Sequence, residues 1–71
     1  MPLLRLLEDQ AFGPDEITVM VTAFEEALRE LRLTDREDPA TLMVAQRIIE
    51  AARQGEREPA RLREAGIKGE G

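Results

Sequence analysis

The 71-residue sequence contains no cysteine, histidine, tryptophan or tyrosine, and serine and asparagine are missing as well. Each absence excludes something. Without cysteine there is no disulfide staple and no thiolate metal site. Without histidine the chain lacks the commonest metal ligand and the usual proton carrier near neutral pH. No apolar run approaches the ~20 residues that a membrane span needs. The leucine-rich start, Leu3-Leu4-Arg5-Leu6-Leu7, is too short for a signal h-region and is followed at once by Glu8-Asp9. A cytoplasmic location is therefore expected. One domain covering residues 1–71 is also expected, and a core this small nets only roughly 3–5 kcal/mol. Helix packing or self-association must hold the fold.

Charged residues make up 35% of the chain and aliphatics are plentiful, a profile that suits helices better than disorder or sheet. The net charge of −5 is uneven. Residues 1–38 hold four arginines against ten acids, whereas residues 39–71 hold five arginines and Lys68 against five acids. An acidic chain with a near-neutral second half repels phosphate overall.

Spacing predicts a long helix over residues 14–32. Pro14 suits the first helical position, where its missing N–H costs nothing, and Asp15 and Glu16 complement the helix dipole. With Gly13 as N-cap, Phe12 and Ile17 have the spacing of a hydrophobic staple, and Glu16 can reach back to the Gly13 N–H as half of a capping box. Ile17, Met20, Val21, Phe24, Ala27, Leu28 and Leu31 fall within an arc of about 120°, opposite Glu25, Glu26, Arg29, Glu30 and Arg32. Val19 and Leu33 lie off that stripe. The link Thr34-Asp35-Arg36-Glu37-Asp38 is short enough for an antiparallel hairpin, with Asp38 as N-cap before Pro39 and a capping-box spacing from Thr34 to Glu37.

A second helix is expected over residues 39–54, stopped by Gly55. Leu42, Val44, Ala45, Ile48, Ile49, Ala51 and Ala52 spread over about 180°, which makes this helix the central one. A third, short helix is expected over residues 59–65. Gly66 would end it, pairing Leu62 with Ile67 across a Schellman stop, and residues 68–71 would fray. Leu3, Leu6, Leu7 and Ala11 share a helical face, so a short N-terminal helix can lie over the hairpin. The fold class is all-α: a small three-helix domain built on an antiparallel hairpin plus a short C-terminal helix, with room for that fourth element.

Between Phe12 and Arg63 the chain resembles a group of small, uncharacterised proteobacterial proteins. The resemblance rests on Phe12, Pro14-Asp15-Glu16-Ile17, Met20, Ala23-Phe24-Glu25 and Ala27-Leu28. It continues through Asp35-Arg36, Asp38-Pro39, Thr41, Val44-Ala45, Ile48-Ile49-Glu50, Gly55-Glu56, Pro59 and Leu62-Arg63. It implies a compact helical domain and brings no activity to these residues.

Catalysis finds little to work with. Glu25-Glu26 and Glu37-Asp38 are paired carboxylates, but on a solvent face and in a capping loop, where they read as surface charge or caps. A calcium loop through Asp35 and Glu37 would need a ligand at Pro39, glycine at Ala40 and glutamate at Gln46. Nucleophilic chemistry would start from Thr18, Thr22, Thr34, Thr41 or Lys68 with no histidine to activate them, and no glycine-rich phosphate cradle exists. The expectation is a non-enzyme with no metal, cofactor or small-molecule substrate.

Two partner readings remain. Leu3, Leu4, Leu6 and Leu7 can lay an amphipathic turn into a groove, and Met43 stands on the polar side of the second helix. These residues suit a protein partner or self-association. The bland reading is that the leucines cover the protein's own core. Alternatively, the second helix, the Gly55 turn and the third helix outline a helix-turn-helix carrying Arg53, Arg57, Arg61, Arg63 and Lys68. Glu56, Glu58 and Glu64 interleave with them, and a reader of DNA normally shows a net basic face. An ion-paired surface is the simpler account.

Overall fold

A computed structural model describes residues 2–8, 10–33 and 39–68. They form four helices: α1 (Pro2–Leu7), α2 (Pro14–Leu31), α3 (Pro39–Arg53) and α4 (Pro59–Lys68). No strand occurs among the described residues. Proline opens every helix, at the end where a missing N–H leaves no hydrogen bond unmade. The proposed roles of Thr34, Glu37 and Asp38 lie outside the described residues, as do residues 69–71 of the tail.

α2 starts as its sequence requires. The Gly13 N–H donates to Glu16 Oε1 at 2.8 Å, and the Ile17 N–H donates to the Gly13 carbonyl at 3.0 Å. Glycine has no side chain to return the favour, so only half a capping box forms. Met20, Ala23, Phe24, Ala27 and Leu28 are buried, while Ile17 and Val21 are half-buried at the stripe's edges. Leu31 departs from expectation: it shares the stripe's angle but is exposed, since it sits in the last turn. Val19 and Leu33, off the stripe, are nonetheless half-buried against the core.

The end of α2 holds a second departure. Arg32 is not helical; it takes φ 59° and ψ 38°, the left-handed conformation that usually belongs to glycine. Its N–H donates to the Arg29 and Leu28 carbonyls, and the Leu33 N–H donates to Leu28 at 2.8 Å. These bonds satisfy carbonyls the helix would otherwise leave open. α3 ends in the same way at the expected residue. Gly55 has φ 105°, its N–H donates to Ala52 at 3.0 Å, and the Glu56 N–H donates to Ala51 at 3.1 Å.

Glu16 lies against Arg57, and Arg63 against Glu30, so α4 runs in the direction of α2. α3 runs the other way and touches all three other helices, as its wide apolar face predicts. Its buried set is Thr41, Val44, Ala45, Ile48, Ile49 and Ala52. Thr41, a candidate nucleophile by composition, is fully buried.

α4 is longer than its sequence suggests. Gly66 does not stop it; the helix runs through Gly66 to Lys68, and Gly66 is buried. The reason is a close approach. A Cβ at Gly66 would stand 3.0–3.1 Å from side-chain carbons of Ile48 and Val44. Glycine here costs about 1 kcal/mol of helix propensity relative to alanine and lets α4 settle onto α3. Leu62 is fully buried, with Ala65 and Ile67 half-buried beside it. α1 completes the core by burying Leu3 and Leu7 against α2 and α3, while Ala11, expected on the same face, is exposed.

Candidate interaction surface

The five N-terminal leucine-segment and α3 candidates divide sharply. Leu3 and Leu7 belong to the core, and Leu6 is half-buried against it. Leu4 and Met43 are exposed, at 45% and 47%, and Leu31 joins them at 38%. α2 and α3 run antiparallel, so Leu31 in the last turn of α2 and Met43 near the start of α3 lie at the same end of the bundle. Leu4 projects from α1, which packs on α3. Leu31 escapes sequence reading because the helical wheel places it with the buried residues, whereas it stands exposed at the end of α2.

The opposite end of the bundle is polar and tied. Arg57 Nε and Nη2 both donate to Glu16 Oε2, at 3.2 and 2.9 Å. Its Nη1 donates to the carbonyls of Ala52 and Glu56, at 2.7 and 2.8 Å. The guanidinium carbon stands 5.8 Å from the centroid of the Phe12 ring, near the outer limit of a cation–π contact. One side chain thus links the start of α2, the end of α3 and the segment leading out of α1. The Gly13 N–H first, and the Arg57 guanidinium second, hold the Glu16 carboxyl below its ordinary pKa. No local signal announces this knot, because Glu16 and Arg57 are 41 residues apart.

The three remaining arginines among the basic candidates each stand beside a glutamate. Arg53 lies 3.8 Å from Glu50, Arg61 4.0 Å from Glu56, and Arg63 3.8 Å from Glu30. Lys68 is exposed in the last turn of α4. These pairs are solvent-facing and each contributes little to stability. Two open clefts flank α1 and the segment after it. One, of about 310 Å³, is lined by Gln10, Phe12, Glu16 and Arg57; the other, of about 270 Å³, by Leu6, Gln46, Ile49 and Glu50, and both share Gln10 and Arg53.

Among the described residues no group of three histidine, cysteine, aspartate or glutamate side chains is placed to hold a metal ion. No described helix is long and apolar enough to cross a membrane. No family model, curated protein or solved structure matches the chain.

Proposed function

We propose that the chain is a small, non-catalytic protein-interaction or regulatory module, whose contact surface is the end of the bundle bearing Leu31 and Met43. The supporting observation is the exposure of these two large apolar side chains at one end, with Leu4 as the third such residue among those described. Interface cores are enriched in methionine and depleted of charge, with a polar rim around them; Arg32 and Gln46 are exposed nearby in the chain. Either a second copy or a larger protein suits such a surface. A photo-crosslinking residue at position 43 tests the reading, with position 29 as the control. A discrete protein adduct at 43 and none at 29 is expected. Equal adducts at both positions would sink it.

The alternative is a nucleic-acid-associated regulator using Arg53, Arg57, Arg61, Arg63 and Lys68. Four hydrogen bonds already engage Arg57 within the fold, which weighs against it. Phosphate contacts weaken steeply as salt rises, so absence of binding to generic DNA at low salt would end that reading.

A further inference from the structure

We infer that α1 is an exchangeable arm: it opens from its own body as a unit and seats in the same α2–α3 groove of a second copy of this chain. The occupant differs from the Leu31–Met43 surface in using buried leucines rather than exposed apolar side chains, so the inference stands or falls separately.

The first observation is size. α1 has six residues, well short of the ~12–15 at which an isolated helix becomes even marginal in water. It is helical only because it is docked. Docking rests on two leucines spaced i, i+4: Leu3 is fully buried and Leu7 nearly so, both within the main core. Leu6 adds a half-buried contact at the edge.

The second observation is where the body begins to be fixed. The knot of Phe12, Gly13, Glu16 and Arg57 secures the chain from residue 12 onward. The N–H groups of Glu8 and Gln10, by contrast, donate back to Arg5 and Leu7. Those two bonds travel with the arm when it moves. A hinge between Gln10 and Phe12 therefore separates a small apolar arm from an anchored three-helix body.

The third observation is the seam. The two clefts, of about 270 and 310 Å³, run along the boundary between residues 6–12 and α3 and share Gln10 and Arg53. Both clefts open to the surface along the edge by which the arm would lift. Once vacated, the seat is an apolar groove between α2 and α3, shaped for leucines four residues apart. The segment known to fit it is α1 itself, and every second copy carries one. Exchange between two copies restores each buried leucine contact, which is what makes swapping an inexpensive route to a dimer.

Hydrogen exchange on the full chain reads the opening directly. The Leu6 and Leu7 amides should exchange on the order of 100-fold faster than those of Ala45 and Ile48 in α3, because local opening precedes global unfolding. Equal protection would overturn the inference. Deleting Gln10 and Ala11 removes up to ~7 Å of reach, which denies the arm its own seat but not a neighbour's. Light scattering should then show a dimer, while inserting Gly-Gly-Ser between Gln10 and Ala11 leaves a monomer. A shortened chain that is monomeric with its helices intact, or an insertion that dimerises equally, would overturn the exchange. If the deletion abolishes folding, a spin-labelled peptide of residues 2–12 added to the unaltered chain decides. Broadening of Ile49 supports the seat, and its absence refutes it.

Discussion

The two ends of the bundle solve the same problem with different residues. Both must stop a helix, turn the chain and satisfy open carbonyls. At one end Gly55 turns at φ 105°, and Arg57 ties three segments with four hydrogen bonds. At the other end Arg32 turns at φ 59°, a conformation that disfavours side chains by about 1–2 kcal/mol. Large apolar groups, Leu31 and Met43, face solvent there. One end is optimised for holding together. The other keeps strain and apolar exposure, the pattern expected where a surface serves something besides stability.

Between the ends lies Phe24, fully buried, and the largest expected effect tests whether they form one unit. Phe24→Ala should cost about 3–5 kcal/mol, comparable to the whole stability of a domain this small. Circular dichroism should show both ends melting together. A variant that keeps full helicity and a cooperative melt would mean that the core is placed wrongly.

Gly66 comes next, because it belongs to the open end and lets α4 approach α3 closely. Gly66→Leu would force side-chain carbons into Ile48 and Val44, where even a Cβ stands at 3.0–3.1 Å. Overpacking of this kind costs about 1–3 kcal/mol. Denaturant midpoints should fall accordingly. An unchanged midpoint would show that α4 moves off α3 at little cost and that the close approach is not what selects glycine.

Gly66 also shows how far the sequence is legible. Its helices, their faces and their starts follow from local spacing: Pro14, Pro39 and Pro59 open helices where proline costs least, and Gly55 closes one. Gly66 misleads because a glycine following Leu62 and Ala65, with Ile67 after it, reads as a stop, and only the position of Ile48, 18 residues away, makes it a contact. Arg32 misleads for the opposite reason: nothing local marks an arginine for the left-handed region. The proposed contact surface is half visible in the sequence. Met43 stands out on a polar face, but Leu3 and Leu7 carry the same leucine pattern as Leu4 and are core. Side-chain type cannot separate them without knowing which way α1 is turned.

The turns give a mirrored pair of smaller effects. Arg32→Gly removes the cost of a side chain in the left-handed region and should raise stability by about 0.5–1 kcal/mol. Gly55→Ala should lower it by about 1–2 kcal/mol even though a Cβ there meets nothing within 4 Å, because the backbone angle alone is unfavourable. Thermal melts of the two variants would show shifts of opposite sign. If both shifts have the same sign, the ends do not differ in backbone strain, and the contrast between them rests on Arg57 alone.

The smallest effect isolates Arg57's contribution through its partner. The Glu16 carboxyl has its pKa lowered in the folded chain, first by the Gly13 N–H and then by Arg57. A lowered folded pKa means that the carboxylate's contribution is fully present above the unfolded pKa. It is lost as pH falls through the folded value, below the ordinary glutamate range of about 4. Glu16→Gln keeps an acceptor for the Gly13 N–H but removes the charge facing Arg57. The native chain should melt above the variant at neutral pH, with the gap closing as the solution is acidified below about pH 4. Added salt should narrow the gap as well, since the pair is solvent-facing. The absence of a gap at any pH would show that the Glu16 charge contributes nothing to the tie. The tied end would then be held by the Arg57 bonds to the Ala52 and Glu56 carbonyls rather than by the ion pair.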